Sequence, residues 1–134
     1  MSLIQWIDFQ SLGDKRGQLV AIDIGKEREV PFDIKRIYYI YHTAEDVSRG
    51  FHAHKKLKQV AICISGSCRM VLDDGCTRES IVMNSPAKGL LIESMIWREM
   101  RDFSDDCVLL VLASERYDES DYIRNYADFI KAKR

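Results

Sequence analysis

Apolar residues come in short runs along most of the chain, and Gly, Pro, Asn and Asp break the runs at close intervals. Apolar runs of about 4–8 residues bounded by turn formers are the pattern of β-strands. Residues 3–9 and 18–24 read as two strands around a turn at 13–17, and a charged loop is expected over 26–31. Residues 35–42 carry Ile37, Tyr38, Tyr39, Ile40 and Tyr41, an aromatic and β-branched run that suits a pleated surface. Polar residues 43–49 lead to a stretch holding His52 and His54, and 55–58 reads as a turn. In residues 59–65 both alternating sets are largely apolar, so this strand is expected to be covered on both faces. Val60, Ile62 and Ile64 should pack on another sheet or subunit, while Gln59, Ala61 and Cys63 line a cavity. Asp73, Asp74 and Gly75 signal a hairpin between 68–72 and 77–83, residues 84–89 turn again, and 90–93, 96–103 and 107–114 complete the series.

The tail has another period. Tyr122, Ile123, Tyr126, Phe129 and Ile130 recur at helical spacing, so a C-terminal helix is expected over 121–134, capped by Ser120 or Asp121. Its basic end suits the helix dipole. Many short strands followed by one helix predict an all-β sandwich or barrel. A length of 134 residues predicts a single domain over 1–134.

Composition narrows the function. Net charge is −1 with no basic block, so no nucleic-acid partner is expected. The longest apolar run, 107–113, is too short for a membrane span, and no secretory leader is evident. The four cysteines lack metal-type spacing and sit mostly in apolar runs, which points to free thiols and a cytoplasmic location.

Candidate chemistry gathers in Arg49–Gly50–Phe51–His52–Ala53–His54–Lys55. Side chains at i and i+2 of a strand leave the same face, so His52 and His54 stand side by side as a candidate site for a metal or for proton transfer. The frame is that of the first cupin motif, the mark of a small jelly-roll barrel. Its usual Glu position holds Gln59, and no histidine follows the turn at Pro86 and Gly89. A transition metal wants three or four ligands, and two are visible, so no metal or cofactor is expected. The pair suits acid–base work instead.

From Lys35 to Tyr126 the chain resembles the dTDP-4-keto-6-deoxyglucose 3,4-ketoisomerases, the WxcM-like sugar-nucleotide cupins. The residues that carry the resemblance are 35–40, 49–55, 66–69, 72–75, 97–100, 102–104, 111–114 and 117–124. The resemblance implies a cupin-type jelly roll with a C-terminal helix, forming a homodimer, and leaves open whether the N-terminal strand is exchanged between subunits. It also implies conversion of dTDP-4-keto-6-deoxy-D-glucose to a 3-keto sugar for deoxysugar biosynthesis. His52 and His54 would be catalytic. Arg49, Tyr38, Lys55, Trp97, Arg98 and Arg16 would bind substrate, Trp97 by stacking on thymine and Arg98 by stabilising negative charge. An epimerase acting on the same substrate class and a non-catalytic sugar-nucleotide binder are the competing readings.

Overall fold

The computed structural model describes residues 2–25 and 28–134; residues 26 and 27 of the expected charged loop lie outside the described residues. The strands follow the apolar runs: β1 (Trp6–Asp8), β2 (Ser11–Asp14), β3 (Gly17–Val20), β4 (Arg36–Tyr41), β5 (Arg49–His54) and β6 (Gln59–Ser65). They continue as β7 (Cys68–Asp73), β8 (Arg78–Met83), β9 (Lys88–Ile92), β10 (Trp97–Arg101), β11 (Val108–Ala113) and β12 (Tyr122–Ile123), and one helix follows, α1 (Tyr126–Lys133). Two antiparallel five-stranded sheets form, in the orders β1-β9-β6-β11-β4 and β12-β5-β10-β7-β8. They pack as a jelly-roll sandwich, so the all-β expectation holds.

Strand alternation decides what fills the sandwich. Ala61 and Cys63 of β6 point inward, where Met70, Leu72, Leu109 and Val111 join them in the central core. Val60 and Ile62 point outward and are covered by Phe9, Val30 and Phe32 of the same chain. Fully burying one such aliphatic side chain stabilises by roughly 1.5–3 kcal/mol. The aliphatic row of β6 is therefore sealed by N-terminal loop segments, and only Ile64, 44% exposed, extends beyond them.

The N-terminal region differs from expectation. β1 pairs with β9, while β2 and β3 pair only with each other as a two-stranded hairpin. Asp14 and Gly17 face each other, leaving Lys15 and Arg16 as a two-residue turn. Leu12 and Leu19 are 46% and 57% exposed, so the hairpin buries little on its own chain.

The tail differs too. The expected helix over 121–134 begins only at Tyr126, with the Asn125 side chain accepting the Asp128 N–H as its cap. The Asp121 carboxylate instead accepts the backbone N–H groups of Lys56 and Leu57, at 2.9 and 3.2 Å. That pins the next two residues against β5, with Tyr122 opposite His54 and Ile123 opposite Ala53. Helix α1 then lays Phe129 onto Ala53 and Trp97 on the outer face of the second sheet. Among the described residues no helix is long and apolar enough to cross a membrane.

Candidate active site

The local sequence Gly50-Phe51 shapes the site. Gly50 has φ +90° and Phe51 φ 58°, and the pairing of β5 with β10 slips by one residue there. Phe51 is the extra residue of a β-bulge. A Cβ on Gly50 would stand 2.9 Å from the Arg98 carbonyl oxygen, so only glycine fits under β10. The bulge pushes Phe51 outward and sends His52 and His54 to the inner face. Their rings lie 4.8 Å apart, and the Tyr122 ring packs on both, at 4.9 Å and 4.4 Å.

The two imidazoles are held differently. His52 Nδ1 lies 3.1 Å from the Gly50 carbonyl oxygen. A carbonyl only accepts, so Nδ1 carries the proton and Nε2 keeps its lone pair. His54 is buried, with Nδ1 3.3 Å from an Asp121 carboxylate oxygen and no aligned hydrogen bond at either ring nitrogen. Burial, with the Arg98 cation next in weight, lowers the His52 pKa to about 4. The same two causes hold His54 well below the usual histidine range. Both rings are neutral at pH 7 and able to take a proton.

Arg98 is the charge at the centre. It is buried, its Nη1 donates to Gln59 Oε1 and its Nη2 donates to the Ile96 carbonyl oxygen at 2.9 Å. Burial lowers its pKa only to about 10, so it stays cationic. The Gln59 amide nitrogen donates in turn to the Tyr38 hydroxyl at 2.9 Å. Arg98 belongs to β10 and Gln59 to β6, so this chain of bonds ties the two sheets together beside the histidines.

Two clefts open here and share Arg36 and Tyr122. One, of about 510 Å³, holds His52, Tyr38, Arg49 and Arg124; the other, of about 660 Å³, holds His54, Lys35, Lys56 and Tyr117. Arg124 is committed to Glu119 at 2.7 and 2.8 Å and lies over Tyr122 at 4.1 Å. Arg36 lies over Tyr38 at 4.8 Å. The mouth is thus cationic and aromatic, a surface that suits a diphosphate and a flat base.

The structure therefore gathers His52, His54, Tyr38 and Arg49 along two adjoining clefts, with Arg98 buried beside the histidines. Three other residues singled out in the sequence lie elsewhere. Trp97 faces the opposite side of β10, is packed on Phe129 and Tyr126, and donates to Glu99 at 3.1 Å, so it has no free face for thymine. Lys55 points away from the histidines and donates to the Ser120 carbonyl oxygen at 3.1 Å. Arg16 is at the tip of the β2–β3 hairpin, paired with Asp14 at 2.7 Å and lining neither cleft. Conversely, Tyr122, Arg124 and Arg36 enter the site without having been singled out for it, and Gln59, expected as a cavity-lining residue at the cupin Glu position, is found holding Arg98.

The donor set does not fit a resident transition metal. His52 and His54 are joined by no third ligand at metal spacing among the described residues, Gln59 fills the carboxylate position, and the buried Arg98 cation acts on both rings. The one grouping of ligand atoms at that spacing among the described residues is Cys63, Cys68 and Cys107, buried in the central core.

A jelly roll with two neutral imidazoles, a buried cation beside them and a cationic, aromatic mouth is a cupin-type site suited to an anionic ligand. Comparison with known proteins agrees. The model of the family described as FdtA: WxcM-like, C-terminal matches residues 2–134, and the chain belongs to that family. It is 54% identical over 125 residues to the TDP-4-oxo-6-deoxy-α-D-glucose-3,4-oxoisomerase of Aneurinibacillus thermoaerophilus, covering 93% of this chain and 88% of that one. The sugar 3,4-ketoisomerase QdtA of Thermoanaerobacterium thermosaccharolyticum, solved in complex with TDP, superposes with a TM-score of 0.92 at 49% identity, covering 98% and 94% of the two chains. A histidine-to-asparagine variant of QdtA, in complex with TDP-4-keto-6-deoxyglucose, superposes with a TM-score of 0.93 at 47% identity, covering 99% and 95%. The chain is accordingly an isomerase, of the class that interconverts keto and hydroxy groups on a sugar.

Proposed function

We propose that this isomerase converts dTDP-4-keto-6-deoxy-D-glucose into the corresponding dTDP-3-keto-6-deoxy sugar, with His52 as the base and without a metal ion. The observation that carries the assignment is the His52 ring, neutral, tied at Nδ1 to Gly50, and presenting Nε2 to the arginine-rimmed cleft. The proton on sugar carbon 3 is acidic because it is α to the carbonyl at carbon 4. His52 Nε2 removes it; the C3–H electrons become the C3=C4 bond, and the carbonyl π electrons move onto O4. The proton on O3 then passes to O4. Carbon 4 takes the proton held by the imidazolium, which leaves the ketone at carbon 3. Arg98 stabilises the enediolate charge from within the low-dielectric hollow. His54, beside Asp121, steadies the His52 ring or relays the proton. Arg36 and Arg49 bind the diphosphate.

The reading extends to a homodimer in the cytoplasm. The β2–β3 hairpin buries little on its own chain, and its apolar Leu12 and Leu19 suit the surface of a second copy. That arrangement would carry Arg16 to the partner subunit's site.

The test is turnover of dTDP-4-keto-6-deoxyglucose in deuterated water by chelator-stripped protein, followed by NMR. The ketone is expected at carbon 3, with deuterium on carbon 4 in proportion to the exchange of the imidazolium proton with solvent before delivery and protium there otherwise. Deuterium at carbon 5 with the ketone unmoved would overturn the reading in favour of epimerisation.

A further inference from the structure

Gln59 stands where a metal-binding cupin would carry a carboxylate, and its two amide atoms are spoken for on opposite sides. Arg98 has no acceptor atom, so the Gln59 atom facing it must be the carbonyl oxygen. The amide nitrogen is thereby turned to Tyr38, and an amide N–H only donates. Tyr38 spends an oxygen lone pair on that bond and cannot return its own proton to Gln59. The hydroxyl proton must leave in another direction. Tyr38 is largely buried, and what surrounds its open side is the cleft it shares with His52 and Tyr122.

We propose that Gln59 is a positioning residue that fixes the direction of the Arg98–Gln59–Tyr38 hydrogen-bond chain, so that Tyr38 presents its O–H to the substrate's keto oxygen. The inference rests on the ketoisomerase reading above and adds a donor whose polarity is set in the opposite sheet. Burial keeps the Tyr38 phenol protonated well above neutral pH, so the donor persists across the working range. The geometry also gives Gln59 a second duty. It holds the Arg98 guanidinium between the sheets without neutralising it, which a carboxylate at the same position would do. The charge that depresses the His52 pKa is therefore left intact; the other charged groups acting on that ring are Arg124 and Glu119.

Gln59→Glu is the discriminating substitution, because it keeps the shape and reverses the chain. The carboxylate pairs with Arg98, and Tyr38 then donates to it and turns a lone pair to the hollow. Expected are a fall in kcat of roughly 100-fold, a KM within about threefold of wild type, and an acid limb of kcat/KM moved to higher pH, since Arg98 no longer opposes protonation of His52. The Tyr38→Phe/Gln59→Glu double variant should lose less kcat than the product of the two single losses, because part of the second change acts through a hydroxyl already removed and only the part that acts through Arg98 remains. An unchanged kcat or an unmoved acid limb in Gln59→Glu, or additive losses in the double variant, would overturn the proposal. Should Gln59→Glu fail to fold, Gln59→Met removes both bonds at similar size; a similar kcat loss supports the proposal and full turnover refutes it. Wild-type protein assayed in parallel separates the two levels. No ketone migration in wild type sinks the ketoisomerase reading, whereas a normal wild type beside a normal variant sinks only this inference.

Discussion

At the scale of single residues, the site works because its histidines are kept neutral. Burial is the largest cause and the Arg98 cation the next, and together they set the His52 pKa at about 4. The base is thus already deprotonated on the acid side of neutrality. The acid limb of kcat/KM is expected well below the pH of about 6.5 typical of an unperturbed histidine, and a pH–rate profile on wild-type protein checks this. His52→Asn keeps a ring-sized polar side chain but loses the lone pair. Turnover should fall by roughly 10²–10⁴-fold while the protein stays folded, measured by NMR of the keto sugar and by circular dichroism. The pairing of His52 with His54 was legible because a strand has period two. The partnership of Gln59 with Arg98 was not, since 39 positions separate them and only the packing of two sheets brings them together. The local hints were a polar Gln59 at the head of an apolar strand and its place at the cupin Glu position.

At the scale of elements, the β5 bulge and the β12 strand make the hollow. Phe51 sits in the left-handed region, which costs about 1–3 kcal/mol in a non-glycine residue. A β-branched side chain tolerates that region still less well. Phe51→Val is therefore expected to lower stability by about 1–2 kcal/mol although the side chain is 42% exposed, and a shift of the urea midpoint measures it. The strand set was readable from short apolar runs and turn formers. The tail misled because Tyr122, Ile123 and Tyr126 fit a helical repeat. Asp121 overrides that repeat by binding two backbone amides of a distant turn, a tertiary bond with no local signature. Tyr122 and Arg124 consequently line the site instead of starting the helix, while Ile123 packs on the outer face with Phe129. Phe129, fully buried against Ala53 and Trp97, clamps this arrangement, and Phe129→Ala should cost about 3–5 kcal/mol in thermal or urea unfolding.

At the scale of the whole molecule, stability is tied to the same protonation. The unfolded chain has histidines of ordinary pKa, and the folded one has His52 at about 4 and His54 displaced the same way. Between about pH 6.5 and 4 the unfolded state binds protons that the folded state refuses. Stability is therefore full above that window and lost as pH falls through it. Urea titrations at stepped pH should show this slope, and His52→Asn should reduce it to the part that His54 contributes. One further consequence follows from Arg98. A guanidinium shut away from water without a carboxylate at its side is a standing weakness in the fabric of the fold. Swapping it together with its acceptor for uncharged side chains of like bulk, Arg98→Met with Gln59→Met, should yield a hardier protein with a melting temperature several degrees higher and no useful chemistry. Durability and reactivity are traded against each other in one buried pair.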